Sequence, residues 1–157
     1  MSKTNDNKIK TLEKFIEKYY YIIYLVVLVV AAINLFYKLN TTVIQDWDEA
    51  RHGVTAFEML KNNNFLVTTY GNTVDYFNLK PPLGIWMIAG AYKIFGYNIF
   101  ALRIVSALSS FITITIVARF LRENVSKMAS IIGAAILSCN VLFVSWHTGR
   151  TGDMDGF

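Results

Sequence analysis

The chain is short of the residues that punctuate soluble folds. It has two prolines, adjacent at Pro81 and Pro82, and a single cysteine, Cys139, inside an apolar block. One cysteine excludes a disulfide within the chain and leaves the compartment unread. Charge is scarce as well: 17% of the residues are Asp, Glu, Lys or Arg, against about 25% in ordinary soluble domains. The net charge of +4 is modest and the lysines are scattered. There is no basic stripe with interleaved aromatics, so a nucleic-acid partner has no support. The first apolar run is long for a signal peptide, and no cleavage site is visible after it.

What remains is apolar. Hydrophobic residues make up 54% of the chain and aromatics 15%, and they come in long blocks. YYYIIYLVVLVVAAINLFY, residues 19–37, carries no charge. As a helix it is about 28 Å long, enough to cross a hydrocarbon core, with tyrosines at both ends to suit the interfaces. The lysine-bearing arm 1–18 before it, with Lys3, Lys8, Lys10, Lys14 and Lys18, argues for a cytoplasmic N-terminus. Residues 99–121 form a second expected span and the uncharged run 128–146 a third. LGIWMIAGAYKIF, residues 83–95, is too short to span, at about 20 Å. It is expected to lie at the interface, begun by Pro82 and ended by Gly96. The expected fold is therefore all-α and membrane-integral. Three spans are joined by an outer loop 38–98, a short cytoplasmic connector 122–127 and the start of a second outer loop, 147–157.

This topology puts two acidic clusters on one outer face. The first is QDWDEARHG, residues 45–53. Asp48 to Leu60 has the pattern of an amphipathic helix, with Ala50, Val54, Phe57 and Leu60 on one side and Asp48, Arg51, His52 and Thr55 on another. Asp46 with Glu49 has the form of a capping box, so an ordinary helix start accounts for much of the stretch. NNN at 62–64 ends the helix, FLVTTY is strand-like and YGN a turn. The second cluster is RTGDMDGF, residues 150–157, whose plain role is a polar exit from the membrane. Between them lies Lys80. Carboxylates act as general bases and also hold divalent cations, while Lys and Arg hold phosphate oxygens. Together they suit transfer of a group from a lipid-linked phosphate donor.

The order of these motifs is the telling feature: a span, DEARHG, LKPPLGIWMIAGAYKIFG, a second span, then RTGDMD after a third. It resembles the start of a polytopic glycosyltransferase of the GT-C fold, close to the dolichyl-phosphate-mannose protein mannosyltransferase and lipid A aminoarabinose transferase superfamily. The resemblance implies a polyprenyl-phosphate sugar as donor and a lipid, glycan or protein as acceptor on the outer face. It implies two juxtamembrane helices in the first outer loop. It places catalytic acids at Asp48, with Glu49 beside it, and at Asp155. It puts donor-phosphate contacts at Lys80, Arg51 and Arg150, with Asp153 and His52 in support. Many relatives of the lipid A branch carry an acid just before Lys-Pro, where this chain has Leu79. Metal dependence therefore stays open, and no cofactor is assigned. Family members run to several hundred residues, so these 157 are expected to be an inactive N-terminal piece of a longer enzyme. A transporter component, or a small accessory membrane protein with a folded loop, are the competing readings. Intramembrane charges, the usual mark of a transport path, are few.

Overall fold

The computed structural model of the chain describes residues 2–44, 47–77, 80–145 and 148–153. Six helices and one small hairpin follow in order: α1 Ser2–Phe36, α2 Asp48–Asn62, β1 Thr69–Tyr70, β2 Thr73–Val74, α3 Leu83–Phe95, α4 Ile99–Asn124, α5 Lys127–Cys139 and α6 Val141–Ser145. Among the described residues two helical stretches are long and apolar enough to cross a membrane, Thr11–Phe36 and Ile99–Asn124. The first belongs to α1, which bends at Tyr19 (φ −109°, ψ 16°), where the lysine-bearing arm meets the apolar run.

α5 packs against both α4 and α1. Small side chains permit the close approach: Ala31 of α1, Ala107 and Ala118 of α4 and Ala134 of α5 are all buried at one seam with Leu35 and Ile114. Polar groups fasten it. Ser130 Oγ donates to the Ala118 carbonyl at 2.7 Å and lies 3.0 Å from the Tyr20 hydroxyl, which ties α1, α4 and α5 together.

The expected third span is broken. α5 stops at Cys139 after 13 residues and α6 is a separate short helix. Asn140 between them is extended (φ −74°, ψ 115°), and its side-chain oxygen accepts the Phe143 N–H at 3.0 Å. Asparagine offers the backbone a local alternative to helix, and here that alternative starts a new one.

The outer loop folds as two helices and a hairpin. α3 has the expected bounds and, at 13 residues, cannot span. α2 ends at left-handed Asn63 (φ 51°), whose N–H returns to the Met59 carbonyl. The hairpin pairs Thr69 with Val74 and Tyr70 with Thr73. Its two central residues, Gly71 and Asn72, have φ of 64° and 61°, as a type I′ turn requires. The strand expected from FLVTTY is limited to its last two residues.

α2 buries polar and apolar side chains together. Glu49, His52, Thr55 and Glu58 are buried, and so are Ala56 and Met59 in the apolar core, with Leu60 packed against it. Val54 and Phe57 of the expected stripe are 36% and 39% exposed. Periodicity identified the stripe, but the fold divides it between the core and the outside.

Candidate active site at the start of the two loop helices

Asp48 opens α2, and its carboxylate lies 3.9 Å from the Lys80 ammonium, with the side chains 40% and 37% exposed. That is a charge contact longer than a hydrogen bond. Lys80 is brought there by Pro81 and Pro82, which lead into α3. Pro82 sits at the N-cap (φ −72°, ψ −11°) rather than in the first turn, and its carbonyl accepts the Trp86 N–H at 2.9 Å. The starts of α2 and α3 thus converge on one acid–lysine pair.

Glu49, next in sequence, is turned inward and is 1% exposed. Its Oε1 accepts from Arg103 Nε at 2.6 Å and its Oε2 from Arg103 Nη2 at 2.9 Å. Oε1 also accepts the Gly152 N–H at 2.8 Å. Arg103 is itself 1% exposed, and its remaining donors go to the carbonyls of Leu39, Thr42 and Val43 and to the Thr42 hydroxyl. A guanidinium offers five N–H groups in a fixed fork, and here they join α4, the segment before α2 and α2 itself. This geometry holds Glu49, the second expected acid, in a buried ion pair that also meets the segment at Gly152. The N-cap residue of α2 is Trp47, with no side-chain cap bond, and Asp46 lies outside the described residues.

His52 is buried one turn along α2, with Nδ1 3.2 Å from the Gly152 carbonyl. A carbonyl only accepts, so Nδ1 carries the hydrogen. Burial holds the imidazole below its usual pKa. The Gly152 bond opposes this, Lys80 adds to it, and Asp153 and Asp48 oppose it more weakly. His52 therefore lies within the field of Lys80, Asp153 and Asp48 together. Asp153 is 2% exposed, and its backbone carbonyl accepts the Ser106 hydroxyl at 2.9 Å. The two acidic clusters expected on one face thus meet directly, through Glu49, His52 and Gly152. Asp155 lies outside the described residues.

The two arginines expected at a phosphate have other partners. Arg51 Nε pairs with Asp75 at 3.0 Å, and its guanidinium stacks over Phe77 and Tyr70 at 4.8 and 5.3 Å. It fastens the hairpin region to α2. Arg150 donates to the carbonyls of Asn34 and Tyr37 at 2.6 and 2.8 Å, at the C-terminal end of α1. Such a cation suits the negative end of a helix. Burial and the neighbouring Arg103 both lower its pKa.

Arg103 was absent from the residues expected at the site. A charge near the end of a span looks like an interfacial anchor, and nothing local links it to Glu49. Among the described residues no three His, Cys, Asp or Glu side chains are placed so that they could hold a metal ion. The described part of the site therefore does not form a cation cage by itself.

Fold and site define a helical integral membrane protein with an acid–lysine pair beside its spans. The family model for dolichyl-phosphate-mannose-protein mannosyltransferase matches residues 79–156. An undecaprenyl phosphate-alpha-4-amino-4-deoxy-L-arabinose arabinosyl transferase of Pseudomonas savastanoi pv. phaseolicola is 31% identical over 124 residues, 78% of this chain and 23% of that protein. A polyprenol-phosphate-mannose–protein mannosyltransferase of Mycobacterium tuberculosis is 33% identical over 113 residues, 71% of this chain and 20% of that protein. An uncharacterized protein of Aquifex aeolicus is 30% identical over 123 residues, covering 78% of this chain and 24% of its own length. No solved structure matches significantly. Over residues 79–156 the chain is similar to the dolichyl-phosphate-mannose-protein mannosyltransferase family, and it spans about a fifth to a quarter of the length of these relatives.

Proposed function

We propose that the protein containing this chain moves a sugar from a polyprenyl-phosphate donor to a lipid, glycan or protein acceptor at the outer face of the membrane. The names of the relatives support the donor class. The observation that carries the reading is the exposed Asp48–Lys80 pair, held at 3.9 Å by helix starts from two directions. An arriving donor phosphate is a better partner for Lys80 than Asp48 is, and it releases the carboxylate. Asp48 then accepts the proton of the acceptor hydroxyl as that oxygen attacks the anomeric carbon. The bond from carbon to phosphate oxygen breaks, and its electron pair leaves with the polyprenyl phosphate, held by Lys80. The sugar is delivered with inversion. Asp153 and His52 supply the field around the pair, while Glu49, Arg51, Arg103 and Arg150 hold the elements that present it.

The test is transfer by the full-length enzyme with a radiolabelled polyprenyl-phosphate sugar. Loss of a general base costs on the order of 10²–10⁴-fold in rate. Asp48→Asn is therefore expected to lower kcat by that much with normal expression, and Lys80→Met to weaken donor use. Full activity in Asp48→Asn removes Asp48 from the mechanism.

A further inference from the structure

The break between α5 and α6 opens a recess of about 280 Å³, lined by Asn34, Ser138, Cys139, Ser145 and Arg150, with valines completing the wall. Its depth follows from its neighbours. α5 packs against α1 and α4, the helices that carry the two stretches long enough to span. Its 13 residues cover about 20 Å, well short of a hydrocarbon core of about 30 Å. At its end Ser138 meets Asn34, still inside the apolar run of α1, whose amide donates to the Ser138 carbonyl at 2.9 Å. Gly149, beyond α6, lies close against Ser110 near the middle of α4: a β-carbon on it would be 3.2 Å from the Ser110 Oγ. From there the chain runs without helix alongside α4, and the Asp153 carbonyl takes the Ser106 hydroxyl.

Non-helical backbone at this depth cannot face lipid, because hydrocarbon offers its N–H and C=O groups no partner. It is stable only against protein or water. The polar groups here exceed the partners that the chain gives them. Arg150 directs its terminal amino groups to the carbonyls of Asn34 and Tyr37, which leaves Nε unused. The Asn34 side-chain oxygen and the Ser145 hydroxyl have no hydrogen-bond partner among the described residues. Close by, the hydroxyls of Ser110 and Thr151 are buried, again without a partner among the described residues. An apolar helix laid over the recess would strand these groups, whereas water satisfies donors and acceptors alike. Arg150 also reaches the carbonyl of Lys38, which like Tyr37 is exposed at the end of α1, so the recess borders the surface there. We propose that this recess is filled with water continuous with the solution at that end, and that small hydrophilic solutes reach Cys139 through it. The side of the bundle formed by α5, α6 and the segment after them is then turned to water. The stripe Ile22, Val26, Val29 and Ile33 of α1, exposed and wholly apolar, is turned to lipid.

Thiol reactivity tests this, because a thiol reacts as its thiolate, which forms in water and is suppressed in apolar surroundings. The full-length protein, with any cysteine outside these 157 residues replaced, is placed in nanodiscs and treated with a charged methanethiosulfonate. Cys139 is expected to react at least an order of magnitude faster than the thiol of Ile33→Cys in a Cys139→Ala background. Ile33 adjoins Asn34, so it reports the same depth on the lipid stripe. Ser145→Phe, which fills the recess, is expected to slow Cys139 severalfold. Complete reaction in SDS confirms that each thiol is present. A Cys139 rate no greater than that of Ile33→Cys overturns the proposal, and this comparison leaves the recess itself unaltered. So does a Cys139 rate that Ser145→Phe leaves unchanged.

Discussion

Arg103 and Glu49, 54 residues apart in the chain, meet in a two-point ion pair with both side chains sealed from solvent. Removing one partner of such a pair strands a buried charge, which costs about 3–5 kcal/mol. Arg103→Met is therefore expected to lower the apparent melting temperature sharply in detergent and to reduce the monodisperse yield. Arg103→Lys should recover only part of this, since an ammonium cannot reproduce the fork. Near-wild-type melting in Arg103→Met would show that the pair is dispensable. The fluorescence melting curve of each variant decides it.

Gly152 is packed with no room for a side chain. A β-carbon there would lie 2.7 Å from Leu102 Cγ and 3.1 Å from Glu49 Cγ. Overpacking of this kind costs about 1–3 kcal/mol and shifts the backbone. Gly152→Ala is expected to reduce both stability and transfer, because the segment bearing Asp153 must move away from α2. Leu102→Ala opens the space from the opposite wall. Assays of the single and double variants should show partial rescue in the double variant, and strictly additive losses would contradict the packing argument.

His52 gives the fold a pH dependence of definite sign. Its pKa lies below the ordinary 6.5 when folded, so as pH falls past 6.5 the unfolded chain takes up a proton that the folded one refuses. The unfolded state gains, and stability drops. Its contribution is complete above about 6.5 and is lost as pH falls through the folded value. Thermal melts of wild type and His52→Gln between pH 5 and 8 should show a steeper acid loss in wild type. Parallel curves would mean that His52 titrates alike in both states.

The topology is testable at two exposed positions. Val43 precedes α2 and Val125 follows α4, and they are 86% and 66% exposed. After Cys139→Ala, cysteines at these positions are expected to react with an impermeant maleimide from opposite sides of the membrane. Reaction from the same side would remove α4 as a span and the outer face as the place of the site.

Local rules made some of this legible. Pro82 and Gly96 bracket α3, so its length, and hence its failure to span, could be read directly. The Gly-Asn turn set the hairpin register. The stripe on α2 was visible too, but periodicity gives the stripe and not its surroundings, so the burial of His52, Thr55 and Glu58 was not. The partnership of Arg103 with Glu49 arises from the way α4 passes α2, which no window of sequence contains. Glu49 and Asp48 are identical in kind and adjacent in order. Only the fold separates them, sending one inward to a guanidinium and the other outward to Lys80. Asn140 shows the limit of hydropathy: one amide in an uncharged run was enough to divide a helix.

Two guanidinium groups grip the end of α1 and the eleven-residue stretch between α1 and α2. Arg150 takes the carbonyls of Asn34 and Tyr37, and Arg103 those of Leu39, Thr42 and Val43. Apart from the Thr42 hydroxyl, these contacts read main-chain oxygens, which every amino acid supplies. Except at Thr42, the clamp is therefore indifferent to side-chain identity. Outside Thr42 and buried Leu39, a side-chain change in this linker leaves the carbonyls that the two arginines hold in place.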